Sequence, residues 1–181
     1  MKIVETRLAG VRLVQPTVHR DERGFFLETF GDAEFAGAGL PTQYRQDNHS
    51  RSVARTLRGL HFQSAPGQAK LVRAARGAIF DVVVDLRRSS TTYGAWEGFQ
   101  LDDEEHLALF VPVGFAHGFY ALTDADVTYR VTERYDARTE AGIAWNDPEV
   151  AVAWPDRDPI LSTRDSGLPR LRDVADRLPD W

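Results

Sequence analysis

The sequence predicts an all-β fold, a sandwich or barrel, on three observations. Short runs that alternate or are β-branched recur at regular spacing, broken by Gly, Pro and Asp. Helical patterning is confined to two short stretches. One run, Ala78–Leu86, is almost wholly apolar apart from Asp81 and Asp85, as a strand covered on both faces would be. The expected strands are, in order, Val11–Val14, Phe25–Phe30, Tyr44–Asn48, Leu57–Gln63, Ala69–Ala74, Ile79–Leu86, Trp96–Leu101, Leu107–Val111, Gly118–Leu122 and Val127–Thr132. Gly77 before the apolar run and Pro112-Val-Gly114 before His117 suit tight turns. Short helices are expected at Asp32–Ala38, after Gly31, and near Leu171–Arg177. The Asp- and Pro-rich stretch Pro155–Pro169 is expected to be an ordered loop.

At 181 residues with no internal repeat, the chain is expected to form a single domain, residues 1–181. It has no cysteine, which removes disulfides and thiolate metal sites and fits a reducing compartment. The first residues lack the apolar core of a signal peptide, and no run of about 18 apolar residues occurs. A cytoplasmic protein without membrane contact is expected. The net charge of −5 argues against nucleic acid as the partner. An anionic small ligand needs only a local cation cluster, which Arg23, Arg58, Lys70 and Arg164 form if the fold brings them together.

The chemistry concentrates in Arg58-Gly-Leu-His-Phe-Gln63 and in Lys70. Period-2 alternation places Arg58, Leu60 and Phe62 on one face and Gly59, His61 and Gln63 on the other. A histidine takes and returns protons at neutral pH, and a lysine on an adjacent strand holds negative charge developing on an oxygen. Together they suit removal of a proton from a carbon next to a carbonyl. A lone histidine on a mixed face is usually a core residue, but His61 has Arg58, Gln63 and Lys70 as neighbours.

Further blocks stand in a fixed order: Asp21-Glu-Arg-Gly-Phe-Phe-Leu-Glu28, Gln46-Asp-Asn48, Asp81-Val-Val-Val-Asp-Leu-Arg87, Pro112-Val-Gly-Phe-Ala-His-Gly-Phe119, Thr128-Tyr129-Arg130, Trp145-Asn-Asp-Pro148, Trp154-Pro155 and Leu161-Ser-Thr-Arg-Asp165. In this order and spacing, from about Asp21 to about Asp165, the chain resembles the dTDP-4-dehydrorhamnose 3,5-epimerase family. The resemblance implies a cupin-type jelly roll of two antiparallel sheets over a central cavity. It implies His61 as base, Asp165 as the carboxylate that orients it, Lys70 as the cation on the enolate oxygen and Tyr129 as the acid opposite the base. It also implies Arg23 and Arg58 on a diphosphate, with Phe26, Glu28, Gln46, Asn48 and Tyr135 around the nucleotide. Arg164 stands where the family usually has lysine before the aspartate. The Phe26–Glu28 strand is implied to come from the second subunit of a homodimer.

His117 lies in Pro-x-Gly-x-x-His, which metal-binding cupins use as their second motif. Their first motif needs His-x-His and a carboxylate; here it reads His61-Phe62-Gln63, followed by the cation Lys70. His19, His49 and His106 complete no ligand triad, so His117 is expected to line the cavity and no metal or cofactor is expected. The activity implied is inversion of a dTDP-4-keto-6-deoxyhexose at C3 and C5. The closest alternative inverts only one of these carbons. A metal-dependent cupin oxygenase lacks its His-x-His, and a non-catalytic sugar-nucleotide binder has no use for base, cation and acid together.

Overall fold

The computed structural model describes all 181 residues. Thirteen strands are present: β1 Lys2–Glu5, β2 Arg12–Gln15, β3 Val18–Asp21, β4 Gly24–Leu27, β5 Gln46–Ser52, β6 Leu57–Gln63, β7 Lys70–Arg76, β8 Ala78–Asp85, β9 Trp96–Asp102, β10 Ala108–Val111, β11 Phe115–Ala121, β12 Ala125–Val131 and β13 Glu140–Gly142. Helices are α1 Asp32–Gly37, α2 Thr163–Ser166 and α3 Leu171–Val174, the last continued by a 3-10 turn at Ala175–Arg177. Every predicted strand has a counterpart. The polar strands β1, β3 and β13 were not predicted, because exposed edge or hairpin strands carry no apolar alternation. One turn of helix, α2, lies inside the stretch expected to be loop.

A six-stranded sheet, ordered β1-β2-β10-β7-β12-β5, faces a five-stranded sheet, ordered β13-β6-β11-β8-β9, and all pairings are antiparallel. This is the expected all-β jelly roll. Between the sheets, Val72, Leu109, Val111 and Val127 of one pack on Ile79, Val83, Leu101 and Phe115 of the other. The outer face of the five-stranded sheet carries Leu60, Phe62, Val82 and Val84, covered by Ile143, Val150, Leu171 and Leu178 from the C-terminal segment. The outer face of the six-stranded sheet is partly covered by α1 through Phe35. Strand β8 is therefore buried on both faces, which explains its nearly continuous apolar run. The inter-sheet core fills only one end of the sandwich; the other end remains a cavity.

The alternation expected for β6 breaks at one point. His117 of β11 stands opposite His61, but Phe119 stands opposite Arg58, so two steps on β11 span three on β6. An irregularity of one residue inverts the side-chain parity beyond it. Arg58 therefore joins His61 and Gln63 on the cavity side, while Leu60 and Phe62 stay in the outer core. Gly59 makes this geometry possible. Its φ is +125°, and an added Cβ would lie 2.6 Å from the Gly118 Cα.

Candidate active site

The open end of the sandwich holds a cavity of about 350 Å³, within the range of small-ligand sites. The six-stranded sheet supplies Gln46, Asn48, Lys70 and Tyr129, and the five-stranded sheet supplies Arg58, His61, Gln63, His117 and Glu140. Tyr135, Ser162, Arg164 and Asp165 close the rim. Cross-strand register brings several of these together: Tyr129 pairs with Asn48, and His117 with His61.

His61 Nε2 lies 2.7 Å from Asp165 Oδ1. With Nε2–H donating to the carboxylate, Nδ1 carries the lone pair. The local sequence explains how a loop carboxylate reaches this position. Ser162 caps α2 by accepting the Asp165 N–H at 3.0 Å. The Asp165 side chain is thereby free to turn toward β6, where it also accepts the Gly59 N–H at 3.4 Å. Burial works against its charge, but the His61, Gly59 and Ser162 hydrogen bonds outweigh burial and hold its pKa below the usual carboxylate value. Asp165 thus remains an anion beside the imidazole.

Lys70 reaches His61 from the facing sheet, not from an adjacent strand as expected. Its Nζ donates to the His61 carbonyl across the cavity at 3.4 Å. Burial lowers the lysine to about 8, with Asp81 and Glu140 pulling the other way. Tyr129 is raised by burial, partly offset by Arg58, and keeps its proton at neutral pH. Lys70 and Tyr129 both belong to the sheet opposite His61.

His117 lines the cavity as expected, and its Nε2 sits 2.8 Å from Asp81 Oδ1. Asp81 is fully buried, and its role as partner to His117 was missed by sequence reasoning. Its signal was visible as one of two charges in an apolar strand. The other, Asp85, ties down the following loop through Arg87, Ser90 and Thr92. Glu140 was also missed. It holds Arg164 at 2.7 Å and, despite burial, its carboxylate is kept below the usual range by Arg164, Tyr135 and His61. Nothing in its polar surroundings in the sequence marks it. No three His, Cys, Asp or Glu side chains converge as a metal site requires.

At the rim, Arg58 is braced by Nε donating to Ser52 Oγ at 2.9 Å and Nη2 donating to the Arg51 carbonyl at 3.1 Å. Gln46 donates to Asn48 Oδ1 at 2.8 Å and accepts the Tyr135 N–H at 3.1 Å. Three expected site residues are elsewhere. Arg23 sits at the tip of the β3–β4 hairpin, paired with Asp21 at 2.5 Å, and Phe26 and Glu28 lie outside the cavity of their own chain. The cation cluster therefore contains Arg58, Lys70 and Arg164 but not Arg23. Phe25 packs the hairpin onto His106, with ring centroids 4.4 Å apart. Phe26, on the opposite face, is 68% exposed.

A jelly-roll cavity that joins an imidazole–carboxylate pair to a facing cation and a protonated tyrosine has the groups that an isomerase moving protons on carbon requires. The family model described as dTDP-4-dehydrorhamnose 3,5-epimerase matches residues 5–173, and the chain belongs to this family. A dTDP-4-dehydrorhamnose 3,5-epimerase of Methanothermobacter thermautotrophicus is 47% identical over 176 residues, 95% of each chain. A dTDP-4-dehydrorhamnose 3-epimerase of Streptomyces niveus is 43% identical, covering 97% of this chain and 86% of its own. The crystal structure of a dTDP-6-deoxy-D-glucose-3,5-epimerase from Legionella pneumophila, in complex with dTDP-4-keto-L-rhamnose, superposes with a TM-score of 0.95. It is 38% identical and covers 99% of this chain and 98% of its own.

Proposed function

We propose that this protein inverts C3 and C5 of a dTDP-4-keto-6-deoxyhexose. The observation that carries this reading is the meeting of His61–Asp165 from one side of a single cavity with Lys70 and Tyr129 from the other. The C4 ketone acidifies the hydrogens on C3 and C5. His61 Nδ1 removes one of them, and Asp165 steadies the imidazolium that forms. Lys70 donates to the enolate oxygen, a contact worth about 3 kcal/mol of barrier for a well-placed donor. Tyr129 then delivers its proton to the opposite face of the same carbon; His61 releases its proton to solvent and Tyr129 takes one up, which resets both groups. Repetition at the second carbon gives the L-configured sugar. Arg58 and Arg164 meet the diphosphate, and Gln46, Asn48 and Tyr135 meet the nucleoside. His117 borders the sugar. No step calls for a metal or redox cofactor.

The test is proton NMR of the dTDP-4-keto sugar with enzyme in deuterium oxide. Deuterium at both C3 and C5 with inverted products is expected. Exchange and inversion at C3 alone would instead support the single-site reading, the activity for which the Streptomyces niveus relative is named. No exchange at either carbon would sink both.

The alkaline limb of activity belongs to Lys70. The cation is the working form, and it is lost as pH rises through about 8. In the free enzyme, kcat/KM should fall about tenfold per pH unit above that point. Tyr129 titrates above its ordinary value and stays protonated in this range. A profile of kcat/KM flat to pH 9.5 would overturn the assignment of the alkaline limb to a lowered Lys70.

The working assembly is a homodimer in the cytoplasm. The β3–β4 hairpin packs on its own chain through Phe25 and leaves Phe26 projecting, so Arg23, Phe26 and Glu28 complete the nucleotide site of a second copy. No helix is long and apolar enough to cross a membrane. Sedimentation equilibrium should give twice the chain mass; a fully active monomer at assay concentration would contradict strand exchange.

A further inference from the structure

We propose that Glu140 is a positioning residue for the catalytic pair: by clamping Arg164 it sets the single helical turn that presents Asp165 to His61. This rests on the reading of His61–Asp165 as base and orienting carboxylate. Helix α2 has four residues, too few to be stable by its own backbone bonds. Two of its side chains reach outside it. Asp165 meets β6 at His61 and Gly59. Arg164 meets Glu140 at 2.7 Å, with the Tyr135 hydroxyl against the same carboxylate. Glu140 itself is rigidly placed. It is the first residue of β13, paired in register with Gln63, two residues along β6 from His61. Its side chain is 14% exposed, whereas that of Arg164 is 48% exposed.

The geometry is therefore a closed loop of contacts. From β6 it runs through β13 to Glu140, to Arg164, to the adjacent Asp165 and back to β6 at His61. If the clamp is cut, α2 keeps its flanking backbone anchors at Ile160 and Pro169 and the hydrogen bonds of Asp165, but loses the ion-pair tether next to Asp165. Arg164 is half exposed, so solvent screens its pairing with Glu140 and limits what the pair adds to global stability; the effect is expected on alignment rather than on folding.

Glu140→Gln keeps the volume and removes the ion pair. It should lower the rate of ring-hydrogen exchange about 10- to 100-fold, the effect of slight misplacement of a reacting group. KM for the dTDP-sugar should change less than about twofold, and the melting temperature should stay near that of the parent. At saturating substrate, Arg164→Gln should lower the same rate constant by a similar factor, with a raised KM from its lost diphosphate contact, and the double variant should be no slower than either single one. In an Asp165→Asn background, Glu140→Gln should cause no further loss, because the carboxylate it positions is gone. Two results would overturn the proposal: a Glu140→Gln defect that multiplies the Asp165→Asn defect, or one confined to KM. Failure of the parent reading is separate, since it would show as absent exchange in the unmodified enzyme.

Discussion

His61→Asn is expected to abolish both ring-hydrogen exchange and inversion, with a loss of at least about 1,000-fold, or about 4 kcal/mol of barrier. Asparagine is the informative replacement. Its amide can still donate to Asp165, which is 5% exposed and costly to leave without a donor. The fold should therefore survive while the imidazole nitrogen assigned to accept the substrate proton is removed. Binding of dTDP should persist, because Arg58 and Arg164 are untouched and Arg58 is braced independently by Ser52 and the Arg51 carbonyl. Deuterium wash-in followed by NMR, with dTDP titration by calorimetry, measures both quantities. Exchange continuing near the parent rate would show that another group is the base.

Tyr129→Phe should separate the two processes that His61→Asn loses together. The change removes one hydroxyl from a partly buried ring and keeps its volume, so packing is nearly conserved. His61 can still take the proton and Lys70 can still hold the enolate. His61 then returns a deuteron to the face from which the proton came. The variant should wash deuterium into the substrate while inversion falls about 100-fold or more. The asymmetry follows from placement: Tyr129 and Lys70 stand on the six-stranded sheet and His61 on the facing one. Undiminished inversion would move the acid role elsewhere. Loss of both processes would mean that the hydroxyl positions the sugar.

Ten strand runs and two helices were legible because alternation and turn residues report burial locally. Strands β1, β3 and β13 were not, since they are three or four residues long and show no apolar rhythm. His61, Lys70, Tyr129 and Asp165 were readable as a set, through blocks in order, and the structure brings all four to one cavity. Asp81 was visible as an oddity but its partner was not. Glu140 had no signal at all, because an ion pair between residues 24 apart in the chain follows no spacing rule.

By itself the sequence determined the strand-rich class, the double-sided burial of β8 and a set of candidate proton-transfer side chains, since hydrophobic pattern and side-chain chemistry are local properties. The tertiary structure alone decided the face on which Arg58 works, because one irregular residue beside Gly59 inverts a period of two. It also decided that Lys70 approaches His61 across the sandwich and that Asp165, 104 residues from His61, lies 2.7 Å from it. Distances between strands of different sheets depend on how the sheets pack, and packing is a property of the whole core rather than of any segment.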